Sequence, residues 1–305
     1  MHPPALRLGA SSASLPSLAP EALADELARL GYQGVEWRVA DTAQLDPSRP
    51  WDARLNNRCT IAPDAVAVER ISRRCQALGL QIFGLSPYLP VGDLEQAWRL
   101  IDLAELAGHA RLRLWAPSYE EQRYADALAR MRRFLDRLVP RAAEQGVQLA
   151  LEVHQRTICS SPSLAMRIAE HYPARHLGII YDMGNLAIEG REDVQLSLDL
   201  MGEHLAHVQV KNVAYSPQAP GCGWKWEWCP PDAGVLPLHD MLATLARNGF
   251  ADWVSIEDFS CQYDDHSKLL RNRDLLMRYL GLDALPATNA LIDNGRPRAH
   301  EHFSF

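Results

Sequence analysis

Leu149-Ala150-Leu151-Glu152-Val153-His154 is a short apolar run that ends on a carboxylate and an imidazole. Val147, Leu149 and Leu151 alternate with Gln148, Ala150 and Glu152, and Gly146 closes the helix-like segment before them. The pattern predicts a buried strand of a parallel sheet, entered from a helix through a glycine cap. A lone buried glutamate is costly unless it is paired or bound to a metal. Three further runs share the design, apolar and then polar at the end: Ile179-Ile180-Tyr181-Asp182, Val208-Gln209-Val210-Lys211 and Trp253-Val254-Ser255-Ile256-Glu257.

Working outward from these runs, strands are expected at Ala5–Ala10, Val35–Val39, Leu80–Ser86 and Leu112–Trp115, each followed by a helix-period segment. The helices near Pro20, Pro63, Asp93, Ala125, Ser161, Val194, Leu236 and Lys268 open or close on Pro, Ser, Asp or Gly signals. Strict alternation over eight units in 305 residues predicts a single α/β domain. The expected architecture is a closed (β/α)8 TIM barrel over 1–282 with a polar C-terminal tail over 283–305. No Gly-x-Gly-x-x-Gly follows the first strand, which disfavours a doubly wound open sheet. In a barrel, chemistry gathers at the C-terminal ends of the strands. Two long connections stand out: a polar one from Ala40 to Ala62, of the length typical of lids, and an irregular one from Tyr215 to Gly234.

Composition narrows the function. The formal charge is -7, and no basic run exceeds two adjacent residues. That argues against a nucleic-acid or anionic-membrane surface, though not against a small anionic substrate. No leader-like start and no apolar stretch of membrane-spanning length are read, so a cytoplasmic protein is expected. The six cysteines are scattered, without zinc-knuckle spacing, and are expected to be free thiols.

Glu152, Asp182, Gln209 and Glu257 would come one each from the fifth to eighth strands, at intervals that each fit one strand-helix unit. Singly each is an ordinary strand-end polar residue; together they can converge on one cation. Three carboxylates and an amide suit Mn2+ or Mg2+ best, with Co2+ or Zn2+ as alternatives. His154 shares the inward face of Glu152, where it can touch a substrate hydroxyl or hold a neighbour. Lys211 can bind substrate, pair with a carboxylate or form a Schiff base, and pairing is the plainest of these. Glu36 and Trp115 can shape the mouth of the pocket. Trp224-Lys225-Trp226-Glu227-Trp228 suggests a sugar-stacking wall or a subunit contact.

Five segments follow one another along the chain: Gly31-Tyr32-Gln33-Gly34-Val35-Glu36, Leu149–His154, Tyr181-Asp182-Met183-Gly184-Asn185, His207-Val208-Gln209-Val210-Lys211-Asn212 and Val254–Glu257. In these segments the chain, from Leu6 to about Leu280, resembles the xylose isomerase-like barrel superfamily, the sugar phosphate isomerase/epimerase group. The resemblance implies one divalent metal held by a strand-five Glu, strand-six Asp, strand-seven His and strand-eight Glu. Here Gln209 stands where that His is expected, with His207 two residues deeper as the runner-up ligand. Asn185 stands where the endonuclease branch carries a His, so DNA repair is not implied.

By the same resemblance Glu152 and Glu257 are the catalytic pair of a divalent-metal-dependent isomerase or epimerase of a sugar, keto-sugar or cyclitol. The route is an enediolate formed by proton abstraction next to a ketone. His154, Asn185, Lys211, Trp115 and Glu36 are the substrate-contact candidates. A dehydratase or lyase using the same site is the nearest alternative, and a Schiff-base aldolase through Lys211 or a metal-free binding protein stand further off. The expected partners are a small sugar or cyclitol and, through the tail or the Trp-rich loop, a second copy of the chain.

Overall fold

The computed structural model describes residues 6–120 and 122–281. The expected C-terminal tail, 283–305, lies outside the described residues. Eight parallel strands close into a barrel. They are β1 (Arg7–Ser11), β2 (Gly34–Val39), β3 (Gln81–Pro87), β4 (Arg111–Leu114), β5 (Leu149–Glu152), β6 (Leu177–Asp182), β7 (Leu205–Val210) and, after a hairpin, β10 (Trp253–Ile256). Sequence-adjacent strands pair around the circle, and β10 closes it against β1 with Leu8 opposite Val254.

The helices that return the chain are α1 (Pro20–Leu30), α2 (Ala65–Ala77), α3 (Leu94–Leu106), α4 (Tyr124–Glu144), α5 (Pro162–Ala169), α6 (Met183–Glu189), α7 (Val194–Met201), α8 (Leu238–Arg247) and α9 (Asp265–Tyr279). Their starts follow the side-chain chemistry. Asp64, Asp93, Ser161, Asp193 and Asp264 each accept from a backbone N–H of the first turn, which satisfies a donor the helix itself leaves open. Gly31 ends α1 at φ 81°, a conformation that glycine enters without steric cost.

Alternation along each strand divides the core. Leu112, Leu114, Leu149, Leu151, Ile179, Val208, Val254 and Ile256 are buried under the helices. The other parity faces the axis and is polar towards the C-terminal ends, with Arg113, Glu152, Asp182, Gln209, Lys211 and Glu257 all buried. The N-terminal end of the bore is plugged. Phe83 and Trp253 stack at 4.5 Å. Gly9 and Gly34 make room for them, since a Cβ at Gly9 would lie 2.4 Å from Phe83 and one at Gly34 2.6 Å from Trp253. Beneath them Asp252 takes a forked pair of bonds from Arg111 at 3.0 and 2.7 Å and a third from Arg7 at 3.1 Å.

Two expectations are corrected. The stretch from Tyr215 to Gly234 is no irregular loop: β8 (Asn212–Pro217) and β9 (Trp224–Cys229) form an antiparallel hairpin, with Tyr215 opposite Trp226. The alternation of Trp with Lys and Glu is the period-two signal of a strand. The second is α6, which starts directly on Asp182 at the end of β6 and was not expected. All six cysteines are free.

Candidate active site

Glu152 ends β5, Asp182 ends β6, and Glu257 follows β10 directly. The closed barrel brings these three buried carboxylates together, with one oxygen from each lying within 4.8 Å of the others. Lys211, just beyond β7, sends its ammonium between two of them, 2.6 Å from Asp182 Oδ2 and 2.7 Å from Glu257 Oε2. Of the roles open to Lys211 in the sequence, carboxylate pairing is the one the geometry realises. Its stem lies over Gly184, where a Cβ would come within 2.2 Å of Lys211 Cγ. Trp228 and Phe259 flank the ammonium at 5.0 and 5.1 Å.

The other donors to the triad come from around the ring. Arg113, pointing inward from β4, donates to Glu152 Oε2 at 2.8 Å, and Trp115 Nε1 donates to the same oxygen at 2.5 Å. Asn185 Nδ2 donates to Asp182 Oδ2 at 2.7 Å and to Glu152 Oε1 at 3.2 Å. Ser11 Oγ donates to Glu257 Oε1 at 3.1 Å. Arg113 and Ser11 escaped the sequence reading. Arg113 had a signal: in Arg111-Leu112-Arg113-Leu114-Trp115 the leucines take one face, and the cations and Trp the other.

These surroundings set the carboxylates apart. Burial pushes Glu152 up, but Arg113, with help from His154, Lys211 and Trp115, outweighs it and holds Glu152 below the usual range. Burial raises Asp182 well above its ordinary value and raises Glu257 too, because one ammonium cannot neutralise three neighbouring carboxylates. Burial works against the charge on Lys211, but Asp182, Glu257 and Glu152 overcome it and raise its pKa. Burial also lowers His154, whose ring lies 4.6 Å from that of Trp115.

Glu36 is fully buried one layer below the triad rather than at the mouth. Its carboxylate accepts from Ser86 at 2.5 Å and from Gln209 Nε2 at 3.0 Å, with His207 Nε2 at 3.7 Å. Burial alone would raise Glu36, yet His207, Ser86 and Gln209 bring it down to about 2. Gln209 therefore gives its amide nitrogen to Glu36, and its buried Oε1 has no partner among the described residues. Asn185 Oδ1 is a second buried acceptor without a partner among them. Of the tryptophans in the hairpin, Trp228 borders the site, whereas Trp224 is 65% exposed on the surface.

Three clustered carboxylates fit a hard divalent ion, and Gln209, opposite Asp182 in the register, has a carbonyl oxygen with no partner among the described residues. Such an ion would compete with the Lys211 ammonium for Asp182 and Glu257. A separate cavity of about 570 Å3, lined by Tyr181, Asp193, Asp240 and Arg247, lies outside the barrel and holds none of these groups.

The sequence pattern of the xylose isomerase-like TIM barrel matches residues 24–278. The uncharacterised protein Rv0498 of Mycobacterium tuberculosis (strain ATCC 25618 / H37Rv) is 22% identical over 278 residues, which cover 83% of this chain and 89% of the relative. Among solved structures, the D-psicose 3-epimerase of Clostridium cellulolyticum H10, solved with D-tagatose, superposes with a TM-score of 0.66 at 12% identity, covering 92% of this chain and all (100%) of that one. The probable 3-DHS dehydratase AsbF of Bacillus anthracis superposes with a TM-score of 0.66 at 15% identity, covering 89% and 99%. At these identities the superpositions show a shared fold.

Proposed function

The chain belongs to the xylose isomerase-like TIM-barrel family, and we propose that it is an isomerase or epimerase of a sugar, keto-sugar or cyclitol. The observation that carries this reading is the buried triad of Glu152, Asp182 and Glu257, in which two glutamates are pushed to opposite sides of their ordinary pKa. Carboxylates held apart in this way can act as base and acid in one reaction.

Glu152, kept ionised by Arg113, takes the proton from the carbon beside the ketone. Glu257, which burial makes readier than Glu152 to carry a proton, returns one to the opposite face or to the neighbouring carbon. Asn185 Oδ1 accepts from a substrate hydroxyl, while His154, Trp115 and Trp228 wall the ring. Lys211 offsets negative charge as the enediolate forms. Glu152, Asp182, Glu257 and the Gln209 carbonyl would hold a divalent ion, Mn2+ or Mg2+ before Co2+ or Zn2+, whose charge makes the proton beside the ketone more acidic. Lys211, cationic between two carboxylates, is a poor Schiff-base nucleophile, which weighs against the aldolase reading.

The test is deuterium uptake from heavy water into a panel of keto-sugars and keto-cyclitols, read by NMR with Mn2+ supplied. Exchange in the wild-type chain that falls at least about 100-fold in Glu152→Gln and in Glu257→Gln supports the assignment. Exchange untouched by both substitutions refutes it. The likeness in fold to a probable dehydratase keeps one second reading, loss of a β-hydroxyl after the same proton abstraction. An enone absorbance growing in place of deuterium uptake would identify it.

A further inference from the structure

Arg38 lies two residues beyond Glu36 on β2, so both side chains belong to the inward face of that strand. It is only 6% exposed, yet every side-chain hydrogen-bond partner it has among the described residues is neutral. Its Nε donates to the Tyr88 hydroxyl at 3.1 Å, Nη1 to the Thr60 hydroxyl, and Nη2 reaches the Arg54 carbonyl at 3.5 Å. Among the described residues no carboxylate forms an ion pair with it. Arg113 supplies the contrast. The two guanidinium groups lie against the same Tyr88 ring, at 5.1 and 5.3 Å, but Arg113 has Glu152 as counter-ion. Tyr88 in turn packs edge-on against Trp115 at 5.3 Å, so Arg38 belongs to the wall that leads to Glu152.

We propose that Arg38 binds a carboxylate of the substrate, so that the preferred substrates are acidic keto-sugars or keto-cyclitols rather than neutral ones. The planar fork of a guanidinium matches a carboxylate geometrically, and Arg38 carries a charge that no carboxylate among the described residues claims. The assignment rests on the isomerase or epimerase reading of the same site and names the substrate class for it.

Glycolate and ethylene glycol, which differ only in a carboxylate against a hydroxymethyl group, are the probes, with inorganic phosphate as a third. They are titrated calorimetrically into the full chain, with and without Mn2+, at constant ionic strength. Glycolate should bind at least about tenfold more tightly than ethylene glycol. The advantage should fall about tenfold in Arg38→Met and be partly restored in Arg38→Lys. If Arg38→Met does not fold, Arg38→Gln, which can still bond Tyr88 and Thr60, takes its place. Equal glycolate affinity in the wild type and the neutral variant overturns the proposal, as does an Arg38-dependent preference for phosphate. A wild type that binds no Mn2+ but still shows Arg38-dependent glycolate binding counts against the metal reading alone.

Discussion

Lys211→Met isolates the competition between an ammonium and a metal for one set of oxygens. In the wild type Lys211 Nζ lies 2.6 Å from Asp182 and 2.7 Å from Glu257, all three side chains at most 5% exposed. Removing one partner of a buried ion pair costs about 3 to 5 kcal/mol, because the partner left behind keeps its desolvation cost. At about 2 to 4 °C per kcal/mol for a domain of this size, Tm should fall by ~6 to 20 °C in the presence of chelator. Mn2+ supplied at 100 times its Kd returns about 2.7 kcal/mol, between about half and nine-tenths of the loss. The wild type should gain less from the same Mn2+, since its ammonium must first give up two bonds. Thermal unfolding followed by circular dichroism, on both chains with chelator and with Mn2+, reads all four states. The deficit should also shrink as pH falls, because Asp182 and Glu257, already raised by burial, take up protons in place of the lost cation. A variant that is destabilised as expected but recovers nothing with Mn2+ would show that ammonium and metal do not share this place.

Other outcomes follow from the same geometry. Gln209→His should raise affinity for Zn2+ or Co2+ about tenfold over Mn2+ in competition calorimetry, because imidazole suits the softer ions. Asp252 is pulled below its ordinary value by Arg111 and Arg7 against the opposing effect of burial, so its ionised form stabilises the fold above about pH 4. That contribution is lost as pH falls through the folded-state value. Asp252→Asn should therefore cost about 1 to 3 kcal/mol in urea unfolding at pH 7, and the gap from the wild type should close at acid pH. Gly184→Ala would set a methyl group within 2.2 Å of the Lys211 stem and 3.1 Å of Trp228. It should cost about 1 to 3 kcal/mol in the same assay by overpacking and abolish deuterium exchange by moving the ammonium; an unaltered exchange rate would show that the position of Lys211 does not matter.

The barrel was legible because its strands are buried on both faces and end in polar residues, a pattern that Leu149–Glu152 and Trp253–Glu257 state in a few letters. Glu152, Asp182 and Glu257 could be named from their strand ends alone, and closure of the sheet brings them together. That Lys211 pairs with a carboxylate was the plainest reading of the sequence; which two carboxylates it joins was not legible, since its reach depends on the register of β7 against β10 and on the missing Cβ at Gly184. Depth was equally hidden. Glu36 was expected at the mouth, but it lies opposite Gly84 in the register, which sets it below Arg38 and beside Gln209. The hairpin was missed because a Pro- and Gly-rich stretch looks irregular until its period is counted.

Among the described residues, the plug of Arg7, Asp252 and Arg111 under stacked Phe83 and Trp253 fills the N-terminal end of the bore and leaves the C-terminal end as its doorway. In the isomerase or epimerase reading proposed above, substrate, product and exchanging water would use it. A hydrogen lifted from the substrate onto a buried carboxylate then has two fates: delivery back to the same molecule, or washing out when the doorway next admits water. With a tritiated substrate, the fraction of radioactivity kept in the product becomes a stopwatch that compares the doorway's opening rate with the chemical step.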